Sequence, residues 1–362
     1  MTINHDVKYM KHRNSEIDFF RLVFAFIVVV HHSHGLDPPD PVRYPFVGGY
    51  LPVEFFFLLS GYYSVRTCIN NENIRYRSAI VWTRKKFARI FPYVVPAIVV
   101  HYVIRAFLFR FSFREGIKSL GYGVFEMLLL PSAGFYDTFQ NASLWYLSAL
   151  LIILPLFFSC LIRSRDFFLY IVCPLSALLI YGFFSVTLSH IDTWQNWEGL
   201  FYSSLLRAWA GLSLGGVVFL LSEALCTLSF SKTGYRFLSF IEIVALGIVF
   251  FYMFTRTHRK MDFLCIGLMA AAACIMLAEK SSIHRFFSTL FSKCSEYSLA
   301  LYVSHWTVRM LIPFIMPEAA YQFKLLPYIA LSAVYAGILT LCVTAVQKTQ
   351  PLQKIIKHLI VS

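Results

Sequence analysis

Charge is what this chain has least of. Only 14% of its 362 residues are Asp, Glu, Lys or Arg, against about 25% in soluble domains. Too few polar residues remain to cover a sizeable soluble domain. Acidic residues are the scarcer sign, 19 against 32 Lys and Arg, leaving a net charge of +13. Cysteine occurs eight times but in no CxxC or Cys/His spacing, so buried free thiols are expected and no metal site. The first apolar segment follows Lys8, Lys11 and Arg13 but lacks a small-residue cleavage site after it. It reads as a retained helix rather than a signal peptide. No half-chain pattern repeats, and no pair of broken helices matches, which argues against an inverted-repeat transporter.

Apolar side chains are what is abundant. The chain is 58% hydrophobic and 18% aromatic. The fold class that follows is all-α, a polytopic membrane helix bundle. Ten spans are expected, at about 17–34, 50–65, 87–108, 144–162, 167–188, 200–221, 237–254, 263–278, 297–314 and 325–346. Residues 1–16 and 347–362 form polar tails, with the membrane domain over 17–346. Both termini then lie on the cytoplasmic side, and most Lys and Arg fall in the loops of that side, as the positive-inside rule requires. The same rule accounts for the positive charge without nucleic acid, which is not expected as a partner. Residues 109–143 are irregular; Leu120–Pro131 reads as a re-entrant or interfacial piece on the outer side.

Within the first span, IDFFRLVFAFIVVVHHSH, sit Asp18, Arg21, His31, His32 and His34. An ionisable residue at membrane depth costs a few kcal/mol and is a functional candidate by default. Arg21 and His32 are eleven residues apart, close to three helical turns. Both leave one helix face, about 16 Å apart along the axis. His31 and His34 point elsewhere and read as ordinary interfacial residues. A neutral imidazole at His32 can take the proton of a hydroxyl as it attacks an acyl carbonyl. Arg21 either binds an anionic donor or pairs with a carboxylate such as Asp18 or Glu54. Glu54, inside the second span, either orients a histidine or forms a buried ion pair. Ser60 and Gly61 allow close helix packing.

Arg84, Lys85, Lys86 and Arg89 lead into the third span. Placed at a helix start, cations oppose the helix dipole, so this cluster is expected either to grip phosphates or only to set topology. His305 and Arg309 share a face of the ninth span and form either a second polar patch or a mutual pair. Trp145 and Tyr146 open a span, as belt anchors or as substrate contacts.

Five motifs in order carry a resemblance along nearly the whole chain. Arg21-x10-His32, PVEFFFLLSGYY, RKKFARIFP, SLWYLSALL and YSLALYVSHWTV resemble segments of the membrane acyltransferase-3 family, bacterial O-acyltransferases that modify cell-surface sugars. The family's R-x-x-R stands here as Lys86-x-x-Arg89. The resemblance implies a bacterial inner-membrane enzyme with cytoplasmic acetyl-CoA as donor and a glycan or lipid-linked saccharide hydroxyl as acceptor. It implies His32 as the essential histidine, Arg21 as its motif partner, and Lys86 and Arg89 as the donor-handling pair. Relatives often append an SGNH hydrolase-like domain; none is expected here, since the chain ends soon after the last span. A carrier for lipid-linked saccharides is the alternative from another class. The acyl-transfer reading requires His32 and the basic cluster to share one continuous cavity.

Overall fold

The computed structural model describes residues 14–41, 43–70, 76–134, 140–283 and 294–347. The expected tails lie almost wholly outside these residues, as do Lys8, Lys11, Arg13 and Arg75. Among the described residues are eleven helices: α1 (Ser15–His31), α2 (Pro52–Ile69), α3 (Tyr76–Leu108), α4 (Phe113–Met127), α5 (Trp145–Arg163), α6 (Arg165–Thr187), α7 (Ser203–Thr227), α8 (Lys232–Thr255), α9 (Met261–Leu277), α10 (Cys294–Ile315) and α11 (Tyr321–Gln347). Seven of them are long and apolar enough to cross a membrane: α1 with its 3-10 extension, α3, α5, α6, α7, α8 and α11. The ten expected spans each correspond to one helix, and α4 is the added one. The two short strands, Trp197–Glu198 and Phe201–Tyr202, form a hairpin in the α6–α7 loop.

Helix α1 starts where Asn14 accepts the Ile17 amide at 3.1 Å, an N-cap that satisfies an otherwise unpaired donor. It ends in a 3-10 turn, His32–Leu36. In α6, a π turn at Phe168–Val172 precedes Pro174, whose missing N–H cannot serve the carbonyl one turn back.

Helix α3 corrects one expectation. It begins at Tyr76 and runs for 33 residues, about 50 Å, well beyond a hydrocarbon core of roughly 30 Å. Arg84–Arg89 therefore lie inside its opening turns rather than at its start, and the dipole argument for them falls away.

Helix α4 places the irregular region. A capping box of Ser112 and Glu115 starts it, and it buries Ser119, Gly123 and Glu126. Phe113, Ile117, Leu120, Val124 and Leu128 form an exposed stripe. An exposed apolar stripe on an amphipathic helix suits a membrane interface.

The core seam is α2 against α7. A Cβ on Gly61 would stand 2.1 Å from the Leu212 carbonyl oxygen, and one on Gly215 2.1 Å from that of Leu58. The Gly211-x3-Gly215 spacing on α7 thus lets two backbones touch, the small-residue packing that holds helices together where the hydrophobic effect is absent.

Candidate active site

Two helices, α3 and α10, wall two recesses at opposite ends of the bundle. The recess at the basic end has a volume of about 190 Å³ and is walled by Arg21, Lys86, Arg89, Tyr63, Glu296 and Tyr302, among others. Arg21 meets Asp18 at 3.4 Å and lies over the Tyr63 ring; Lys86 lies over Trp82. The second recess, about 380 Å³, is walled by Gly35, His101, Arg105, Trp306 and Arg309, with Phe109 and Phe314 at its edge. On α3 the two sites are separated by the sixteen residues from Arg89 to Arg105, about 24 Å of helix.

The histidines sit between. His32 is half-buried, and its ring lies 5.0 Å from His305 and 5.2 Å from Trp306. Its Nδ1 stands 2.8 Å from the Val28 carbonyl oxygen. His305, fully buried, sets its Nδ1 3.2 Å from the Leu301 carbonyl oxygen. A carbonyl only accepts, so each Nδ1 carries the proton. His305 Nε2 then accepts from the same His32 N–H at 3.3 Å, and His32 Nε2 is left with its lone pair. A fixed tautomer with a lone pair at Nε2 is what a proton acceptor requires.

Below His305 stand three aromatic rings. Tyr302 lies 6.1 Å from the His305 ring and packs against Tyr146 and Phe56, at 5.7 and 6.3 Å between centroids. These three residues end the basic recess. Among the described residues the expected continuous cavity stands as two recesses, with these aromatic rings and His305 between them.

The position of Tyr302 is itself fixed from outside. Glu126 on α4 accepts from the Gln140 and Asn141 amides. Asn141 donates to the Val303 carbonyl at 3.0 Å and Ser143 to that of Tyr302 at 3.3 Å. Burial pushes the Glu126 carboxyl up to about 7.

Several expected site residues lie elsewhere. Glu54 does not orient a histidine. It forms an ion pair with Arg207 at 2.9 Å, both side chains essentially unexposed, and accepts from Tyr181 at 2.7 Å. Trp145 is neither a belt anchor nor in a recess: it is buried, with the Arg207 guanidinium 4.6 Å from its ring centroid. Arg21 does not meet His32; the shared helix face puts them at different depths, and Arg21 belongs with Lys86 and Arg89. Lys85 is exposed, and neither it nor Arg84 walls the basic recess. His305 and Arg309 do not satisfy each other. His305 bonds His32, whereas Arg309 lies 4.3 Å over Trp306 and reaches His34 at 3.5 Å.

Sequence reasoning missed Tyr302, Glu296, His101 and Gly35. A Cβ on Gly35 would stand 2.0 Å from Arg309 Nε, so the guanidinium lies flat on bare backbone. His101 and Arg105 carried a signal, four residues apart on one helix face.

Beside His31 the loops are tied together. His258 Nε2 donates to Asp192 at 3.0 Å, and that bond raises the imidazole above its ordinary value. The His258 amide donates to the Tyr50 hydroxyl, which donates to Asp262; Tyr252 donates to the same carboxylate.

No solved structure matches this chain. A stretch of 95 residues is 35% identical to an O-acetyl transferase of Shigella phage Sf6, covering 26% of this chain and 27% of that protein. The chain thus spans about a quarter of the length of that curated relative. The family described as "Acyltransferase domain", acyltransferase 3, matches over residues 14–347. By that match, which takes in all eleven helices and both recesses, the chain belongs to the acyltransferase-3 family.

Proposed function

We propose that this protein is a membrane O-acyltransferase that moves an acetyl group from acetyl-CoA to a hydroxyl of a cell-surface or lipid-linked glycan, with His32 as the base. The carrying observation is the lone pair at His32 Nε2, set by two carbonyl contacts and beside the second recess. The family and the printed activity of the phage relative support acyl transfer onto oxygen. In this reading the protein lies in a bacterial inner membrane with both termini and the basic recess toward the cytoplasm.

Arg21, Lys86 and Arg89 hold the donor's phosphates, with Lys86 as a point charge rather than a fork. This reading requires one cavity from the basic cluster to His32, so in it Tyr302, Tyr146 and Phe56 turn aside and join the two recesses as the thioester passes. The acceptor hydroxyl gives its proton to His32 Nε2 while its oxygen bonds to the carbonyl carbon. The carbon–sulfur bond then breaks, and the imidazolium returns that proton to the leaving thiolate. His305 is a positioning residue: its Nε2 accepts from His32 Nδ1–H and steadies the cation that forms.

The test is His32→Ala in purified, vesicle-reconstituted protein. Acyl transfer should fall by at least about 10²–10⁴-fold, the usual worth of general acid–base catalysis, while coenzyme A affinity and accumulation stay as in wild type. Lys86→Gln should instead weaken coenzyme A binding. Wild-type transfer by the His32→Ala protein overturns the mechanism.

A further inference from the structure

A third recess opens on the outside of the bundle, where α5 turns into α6 against α7. Its volume is about 510 Å³, and it shares no wall residue with the other two. Arg163 and Ser164 stand at its helix-end side, Phe167 on its lip, and Phe168, Val172 and Trp209 within. Phe157 and Phe168 meet the Trp209 ring at 5.9 and 6.1 Å between centroids. Phe157 precedes Arg163 by six residues, about 9 Å of helix, so this ring floor lies below the arginine toward mid-membrane. Phe158 stacks on Trp82 at 5.3 Å, and Lys86 lies over the same ring. Arg163 therefore belongs to the end of the bundle that holds the basic recess.

Arg163 makes no ion pair among the described residues. None of the recess walls is acidic, and Asp166, three residues on, is not among them. Arg165 instead bonds the Cys68 thiol. An exposed arginine in water needs no partner, but this one stands over an apolar hollow. The outer face of α6 beside it, with Ile171, Leu175, Leu178 and Leu179, is exposed as lipid contact requires. A soluble anion gains nothing from Phe168 and Trp209, and a neutral lipid gains nothing from Arg163. A zwitterionic headgroup brings a cation of its own, for which the walls offer no carboxylate. A second copy in the same membrane would share this orientation, and a two-fold axis along the normal would set this arginine end against its own like.

We infer that this recess holds one anionic phospholipid from the leaflet on the basic side, its phosphodiester at Arg163 and Ser164 and an acyl chain along Phe168 and Val172 to Trp209. A guanidinium fork matches the paired oxygens of a phosphodiester. The Ser164 hydroxyl does not cap α6, which leaves it to donate to the same group. Basic pockets between membrane helices hold such headgroups. The inference goes beyond acyl transfer and uses no residue of either other recess.

Dioleoylphosphatidylglycerol, dioleoylphosphatidylcholine and glycerol 3-phosphate are the probes, titrated into the full chain in detergent and read by native mass spectrometry. Phosphatidylglycerol should be retained as one tightly held lipid per chain, ahead of phosphatidylcholine with the same tails. Arg163→Gln should weaken it about tenfold or more, the worth of one charge-assisted hydrogen bond. Arg163→Lys should lose less, since charge stays and the fork is lost. Arg236→Gln, which removes an exposed cation outside the recess, should leave retention unchanged. Equal retention of the two lipids overturns the inference, as does wild-type affinity in Arg163→Gln. An equal loss in Arg236→Gln overturns it too, since the attraction is then general. So does glycerol 3-phosphate binding as tightly as phosphatidylglycerol. A mass of two chains without lipid also overturns it, and gives the face to a second copy.

Discussion

Replacing Glu54 by Gln should damage the fold far more than the chemistry. Arg207 is fully buried, donates to Glu54 at 2.9 Å and to the Thr193 carbonyl at 3.0 Å, and lies against Trp145. Its remaining Nη2 has no partner among the described residues. Removing the carboxylate charge leaves a guanidinium in the bundle interior with only neutral acceptors. Breaking a buried pair in this way costs about 3–5 kcal/mol, whereas replacing both members by apolar residues of similar size is often neutral. Glu54→Gln should therefore lower the unfolding midpoint in detergent by several degrees. Glu54→Met with Arg207→Met should recover most of that loss and retain coenzyme A binding. Thermal unfolding followed by tryptophan fluorescence, together with acyl transfer per folded molecule, reads both. A Glu54→Gln protein as stable as wild type yet inactive would refute the structural account and put the carboxylate back in the reaction.

Two further outcomes follow from the packing and the loops. Gly61→Ala would drive a methyl group onto the Leu212 backbone; backbone cannot rotate away, so a loss at or above the usual 1–3 kcal/mol for overpacking is expected, seen as poor accumulation and a lower midpoint. The His258–Asp192 bond raises the histidine and, despite partial burial, leaves the carboxyl lowered by His258 and Arg207. A raised histidine stabilises fully below its unfolded value of 6.5 and loses this as pH rises through its folded value. With both side chains partly exposed, the effect is about 0.2–1 kcal/mol. Amide exchange over residues 188–202, corrected for its intrinsic rate, should be faster at high pH than at about pH 6, and Asp192→Asn should flatten the difference; unchanged protection across that range would count against it.

Much of the architecture could be read before any coordinates. Apolar runs placed all ten rods, because length and hydropathy are local properties. The three-turn spacing correctly put Arg21 and His32 on one face. Spacing gives an angle, however, and says nothing about which neighbour occupies it. Arg21 shares that face with His32, yet its companions are Lys86 and Arg89, 65 and 68 positions further along. Glu54 needed a partner, and the one it has stands 153 residues away. The start of α3 was hidden because its opening turns are charged, and hydropathy marks lipid contact rather than helix. Gly35 carried no signal at all, since its use is set by a guanidinium from another helix.

The ring stack between the recesses has a consequence beyond the reaction. Two water-accessible hollows that joined would short-circuit the ion gradient across the bilayer. Phe56, Tyr146 and Tyr302 set their ring faces between those hollows. In the acyl-transfer reading, rings that part for the thioester and close behind it keep the two hollows from joining at any other moment.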